Sequence, residues 1–238
     1  MTNTELSGPA VAGGQTRRRL RTRSALLGAA RELLAEGRED ASIKEITARA
    51  GVGFGSFFNH FPGGKDELWF AAVMEVLDEY ARWLATATAD VDDPAERFAR
   101  SFRLTGRLAL SNPDLLAPVL ARGTELLFLE GGVRTAAIAD ITSGVESGRF
   151  VPLDPEVHLV VVGGALLGLV RMLATEPGKA SPELVDEVAA SALRMLGLDG
   201  ATAEELCGHP LPDGLSWGGD GDATPPGAAR AAGEEEES

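Results

Sequence analysis

Residues 42–61 carry a pattern that few folds can accommodate. Ser42 stands three residues before Glu45, the spacing of a capping box in which each side chain satisfies the other's backbone N–H. Ile43, Ile46 and Ala50 give the helix that starts there an apolar side, so a helix of about nine residues is expected. Gly51 follows where the chain must turn sharply with positive φ, and Val52 offers an apolar plug beneath the turn. A short helix over 55–61 then steps by about 100° per residue, which places Phe57 and Phe61 inward, Gly55, Ser56 and Asn59 outward, and Phe58 and His60 on the flanks.

The flanking sequence is helical as well. Leu26, Ala29, Ala30, Leu33 and Leu34 recur at the i, i+3, i+4, i+7, i+8 spacing of an amphipathic helix, expected from near Thr22 until Gly37 ends it. A longer helix bracing two short ones joined by a glycine turn is a helix-turn-helix unit. Pro62, Gly63 and Gly64 break the chain before a fourth helix, in which Trp69, Val73, Val76, Leu77, Tyr80 and Leu84 keep helical spacing to about Ala87. Pro94, Pro113, Pro155 and Pro182 each sit just inside an expected helix start, where a missing N–H costs nothing. Helices are expected near 94–111, 113–122, 124–130, 134–147, 155–175 and 182–196. Convincing strand alternation occurs nowhere, and the fold class is all-α.

Charge is distributed unevenly. The net charge is −14, yet ten Lys/Arg stand against six Asp/Glu up to Lys65, and twelve against thirty beyond it. The front is therefore locally basic, with Arg17, Arg18, Arg19, Arg21 and Arg23 immediately ahead of the helix-turn-helix unit. From Asp199 onward there are ten acids and one base, Arg230, in a Gly- and Pro-rich stretch with too little apolar surface to offset the entropy of ordering it. The longest uncharged apolar run, residues 157–170, is shorter than the roughly 20 residues a membrane span needs and reads as a buried helix. A single cysteine, Cys207, forms no internal disulfide, and no secretory signal is evident; both favour the cytoplasm.

A slim helix on a rigid base can enter a DNA major groove. Gly53, Gly55 and Ser56 keep its front narrow. Asn59 is the best candidate to read a base, because its amide both donates and accepts. His60 and Lys65 are better placed for phosphate, and Arg21 and Arg23 can follow the backbone or reach the minor groove. Phe54 either packs on a thymine methyl or turns into the core. Ser42 lies at the start of the second helix and joins the candidate DNA-binding set. Lysine in a first helical turn opposes the macrodipole, so something other than helix stability must account for Lys65.

Ile46, Ala50, Gly51, Val52, Gly55, Ser56, Phe57, Asn59, His60, Phe61, Lys65 and Leu68 fall in the order typical of the tetracycline-repressor (TetR) family, which residues 22–68 resemble. The resemblance implies three N-terminal helices for DNA, then a larger helical domain that binds a ligand and dimerises. Two positions depart from the family pattern. Phe58 stands where a tyrosine commonly reaches a phosphate, so Phe58 enters the DNA-binding set without that hydrogen bond. Three residues rather than two separate Phe61 from Lys65.

The expected layout is a flexible basic leader over 1–21, the DNA-binding domain over 22–68, a ligand-binding and dimerisation domain over 69–198, and a disordered acidic tail over 199–238. Phe98, Phe102, Arg103, Arg107, Phe128, Arg171 and Met172 are candidate ligand-lining residues for a small apolar or amphipathic molecule. For each singly, ordinary core or solvated face is the commoner role. The helices beginning at Pro155 and Pro182 are candidates for a homodimer interface. The expected function is transcriptional repression, released from a palindromic stretch of double-stranded operator DNA by the ligand. The alternative is a ligand-binding or protein-interaction module with weakened DNA binding. No cofactor, metal site, membrane partner or catalytic residue is expected, because His60, His158 and His209 are far apart and no metal-spaced pair or phosphate-binding glycine loop occurs.

Overall fold

The computed structural model describes residues 10–112 and 123–212, and the chain divides into two compact units, Met1–Glu75 and Val76–Ser238. The expected helix over 113–122 lies outside the described residues, as do the first residues of the leader and the tail beyond residue 212.

In the first unit, α1 (Ala10–Ala35) is followed by α2 (Ile43–Arg49) and α3 (Phe54–Phe58), and α4 (Lys65–Ala87) begins there. The expected start of α1 near Thr22 is corrected: the helix already runs from Ala10. Arginine is a good helix former and Pro9 is the last proline before the cluster, so nothing in the arginine segment stops a helix growing toward the N-terminus. Residues 16–21 are exposed, and burial begins with Leu26 and Leu27, joined by Ala29, Ala30, Leu33 and Leu34. Ile46, Phe57, Phe61, Leu68 and Ala72 complete this core, each at most 1 % exposed.

The Ser42–Glu45 capping box is present as expected. Glu45 Oε2 accepts from the Ser42 backbone N–H at 2.8 Å, and Ser42 Oγ accepts from the Glu45 N–H at 3.2 Å. After α2, Gly51 takes φ 64°. Its N–H donates to Ala48 O, and the Val52 N–H donates to Thr47 O, the paired bonds of a Schellman turn that only glycine enters without strain. This turn aims α3.

In the second unit, α5 (Pro94–Ser111) is central. It packs against α6 (Gly132–Glu146), α7 (Pro155–Thr175), α8 (Pro182–Met195) and α9 (Gly200–Gly208), while α7 also meets α6, α8 and a 3-10 turn at Gly123–Leu127. Asp93, Asp154 and Ser181 cap α5, α7 and α8 ahead of N-terminal prolines, as the sequence pattern implies. At Gly106 α5 passes α8 closely enough that a Cβ there would clash with the Val185 side chain.

Helix α9 corrects the expected disordered tail over its first residues. Asp199 accepts from the Thr202 N–H as its cap, and Ala203, Leu206 and Cys207 are buried at the i, i+3, i+4 spacing that closes a helix onto a core. Composition over the whole tail hid this local periodicity. Helix α7 is long and apolar enough, by length and composition, to cross a bilayer; it packs instead against α5, α6 and α8.

Candidate nucleic-acid interface

The outward side of α3 is assembled from residues with little else to do. Phe57 is fully buried and Phe61 1 % exposed, which anchors one face of the segment and leaves Gly53, Phe54, Gly55, Phe58 and Asn59 exposed and Ser56 half-buried. The phase read from the sequence is therefore the one observed, although α3 is shorter than expected and Asn59 is its C-cap. Of the two positions left open, Phe54 is 56 % exposed and does not enter the core, and Phe58 is 44 % exposed. A Cβ at Gly55 would meet nothing within 4 Å, so neither flank of Phe54 carries bulk.

The basic side chains of this unit come chiefly from α1. Arg17, Arg18, Arg19 and Arg21 are exposed, and none forms an ion pair among the described residues. Arg23 is held differently, its guanidinium 5.4 Å from the Phe61 ring centroid and 3.6 Å from Glu75 Oε1. His60 has its pKa lowered by partial burial and by the charges of Arg19 and Arg23, which places those two arginines within electrostatic reach of the end of α3.

Two of the sequence candidates have internal work. Ser42 is committed to the capping box, its Oγ donating to Glu45 Oε2 at 2.7 Å. Lys65 Nζ donates to the carbonyls of Ala41 at 2.9 Å, Asp40 at 3.3 Å and Glu39 at 3.5 Å. Three donors meeting three carbonyls explain a lysine in the first turn of α4: it ties that turn to the loop ahead of α2. The extra glycine, Gly64 at φ 86°, lies directly before it.

In the second unit the candidate ligand residues do not converge. Phe102 is buried, and the half-buried Phe98 packs with it at 5.8 Å between ring centroids and with Phe150 at 6.3 Å. Arg103 and Arg107 both hold Asp186 of α8, at 2.8 Å from Nε and 2.8 Å from Nη2 respectively, and Arg103 also donates to the carbonyl of His209. Phe128 is 67 % exposed, Arg171 is exposed, and Met172 is half-buried against the core. His158 is an interior histidine, 2 % exposed, with Nε2 3.0 Å from Val151 O.

Sequence reasoning missed two features here. The Tyr80 hydroxyl lies 2.6 Å from Thr105 Oγ1, with Trp83 stacked on the Tyr80 ring; the sequence signal was a phenol on an otherwise apolar helix face. A cleft of about 430 Å³ between α8 and α9 is lined by Asp186, Glu187, Ala190, Arg194, Glu204, Cys207 and Gly208. Burial pushes the Cys207 thiol up to about 11, which disfavours its thiolate at neutral pH. Among the described residues no group of three or more His, Cys, Asp or Glu is placed to hold a metal ion.

Residues 26–72 match the family model for bacterial regulatory proteins of the tetR family, and residues 93–209 match the tetracyclin repressor-like C-terminal domain. The matched C-terminal domain runs through α9. Among solved structures, the chain is similar to RolR in complex with resorcinol, at 29 % identity and TM-score 0.66 over 83 % of this chain and 98 % of that one. RolR without ligand gives 28 % and 0.60 over 80 % and 98 %. The fatty acid degradation regulator FadR from Bacillus halodurans shares the fold at 17 % identity and TM-score 0.58 over 74 % of this chain and 99 % of that one. No curated protein matches the chain. A tetR-type DNA-binding region joined to a tetracyclin repressor-like helical domain leaves one conclusion: the chain belongs to the TetR family of bacterial transcriptional regulators.

Proposed function

We propose that this protein is a repressor that holds a palindromic operator as a homodimer and releases it when a small aromatic or otherwise apolar molecule binds the second unit. The observation that carries the DNA half is the face of α3: Asn59 and two glycines exposed, with the charges of Arg19 and Arg23 reaching its end and Arg19 in no ion pair among the described residues. Such a face can approach base edges closely while the cations replace phosphate counterions. The proposed contacts are Asn59 to a base, His60, Arg21 and Arg23 to phosphates, and Gly53, Gly55 and Ser56 by close backbone approach.

The homodimer half rests on apolar surface left exposed among the described residues. Val157, Val160 and Val161 of α7 and Met195 of α8 are 50, 44, 37 and 52 % exposed. A second copy related by a two-fold axis would cover the same patch on both partners, which is why the operator is proposed to be palindromic. The ligand class is motivated by the similarity to RolR, whose structure holds resorcinol. Phe98 and Met172, half-buried at the edge of the core, are the sequence candidates whose placement best suits a lining role.

The test is binding to duplex fragments from the neighbourhood of the protein's own gene over a salt series. Sequence-specific binding that drops about tenfold or more in Asn59→Ala, with unchanged thermal stability, is expected from loss of one base-reading amide. Binding that stays weak and blind to sequence at low salt would overturn the reading. For the ligand, resorcinol at millimolar concentration should weaken the specific complex; no change in the complex and no thermal shift would remove the aromatic class.

A further inference from the structure

The most unusual surface in the first unit is a pair of phenylalanines that the fold does not bury. Phe54 and Phe58 lie one helical turn apart on α3, 56 % and 44 % exposed, with ring centroids 6.0 Å apart in an edge arrangement. Phe58 also rests against the buried Phe57 at 5.3 Å, so its ring is backed by the core and cannot fold away. Two adjacent exposed rings with glycines at 53 and 55 make a narrow apolar edge standing proud of the backbone. Exposed apolar side chains in a contiguous patch point to an occupant rather than to solvent.

The charge around the edge selects that occupant. The exposed Asn59 amide follows Phe58 directly, and the charges of Arg19 and Arg23 reach His60 at the end of α3, a positive field that favours a polyanion over a cationic or purely apolar partner. Within a duplex the apolar feature that the major groove displays is the methyl group on C5 of a pyrimidine. Phenylalanine at position 58 offers a ring with no hydroxyl to donate or accept a hydrogen bond.

We propose that Phe54 and Phe58 form a methyl-reading edge, which recognises the C5 methyl groups of pyrimidines in the operator half-site while Asn59 reads a neighbouring base by hydrogen bonding. This rests on the DNA-binding reading above and adds the chemistry of what is read. Two sources supply that group, thymine and 5-methylcytosine, and the edge would accept either.

The experiment uses the full-length protein and duplexes selected by it from a random-sequence library. The best selected duplex is resynthesised with single thymine to deoxyuridine replacements, which remove one methyl and leave charge and hydrogen bonding unchanged, and separately with 5-methylcytosine at each cytosine. Removing a contacted methyl should weaken binding about fourfold, the factor that follows from burying one methyl-sized group, and this sensitivity should vanish in Phe54→Ala or Phe58→Ala. Because both rings are exposed these variants should fold; Phe58→Tyr, which keeps the ring, should retain the sensitivity and guards against misfolding of Phe58→Ala. Sensitivity only to 5-methylcytosine supports the edge and names the modified base as its source. Equal binding of all forms by the wild type, with Asn59→Ala still weak, would overturn the methyl edge and leave the DNA reading standing. Methyl sensitivity that persists in both alanine variants would overturn the assignment to these residues. Failure to select any duplex would remove both readings together.

Discussion

The two units use the same residue types in opposite ways. In Met1–Glu75, Arg17, Arg18, Arg19 and Arg21 of the leader helix are exposed and form no ion pair among the described residues, and two of the four phenylalanines on or beside α3 face outward. In Val76–Ser238, Arg97, Arg100, Arg103, Arg107, Arg134 and Arg149 each hold a carboxylate, and Phe98, Phe102 and Phe150 pack together. The contrast teaches how to separate function from architecture in such a chain. A charged or aromatic residue whose interactions are already complete holds the fold, and one left incomplete is available to a partner. Arg103 and Arg107 were plausible ligand contacts by position, and Asp186 occupies both.

If that division holds, removing Asp186 should injure stability and nothing else. Asp186→Ala leaves the Arg103 side chain, 8 % exposed, without its counter-charge. Breaking a pair of this kind costs about 2–3 kcal/mol once the partial exposure of Asp186 and Arg107 is discounted. Urea unfolding would show the loss, while the folded variant should bind DNA with unchanged affinity. A ligand-response defect in a protein of normal stability would show instead that these arginines do serve a ligand.

Lys65 sharpens the contrast, because it is a cation of the first unit whose donors are occupied. Lys65→Met should lower stability by about 1 kcal/mol through the three loop carbonyls it leaves, with the salt dependence of DNA binding unchanged. A salt slope smaller by about one would mean the lysine leaves the loop to meet a phosphate in the complex.

The smallest effect is expected at Glu45. The Ser42 backbone N–H and hydroxyl, together with Arg38, hold its carboxyl down to about 2. A carboxyl depressed by folding stabilises the native state fully above its ordinary value near 4.5 and loses that contribution as pH falls toward about 2. Thermal unfolding of Glu45→Gln should therefore differ from wild type above pH 4.5 and converge with it in acid. Parallel curves across that range would mean the capping box contributes through geometry and not through charge.

Much of the first unit was legible in sequence because its determinants are local. The capping box, the turn at Gly51 and the inward phase of Phe57 and Phe61 depend on residues at most a few positions apart, and so does the outward placing of Asn59. What escaped was set by distant partners. Asp186 lies about eighty residues from the arginines it holds, and no pattern near Lys65 announces three carbonyls from another loop. Helix α9 escaped for a different reason: its buried Ala203, Leu206 and Cys207 were diluted by the acidic, glycine-rich sequence around them.

The continuity of α1 divides what looks in sequence like a single cluster of charge. On a helix advancing about 100° per residue, Arg17 and Arg21 fall within about 40° of each other, whereas Arg19 and Arg23 point nearly the opposite way. Arg19 and Arg23 are the two whose charges reach His60. Two of the five arginines thus look toward the end of α3, while Arg17 and Arg21 address whatever lies on the far side. One alanine inserted between Arg23 and Leu26 would conserve every charge and rotate the array by about a quarter turn or more, so angular phase, and not the number of arginines, is the quantity the leader helix encodes.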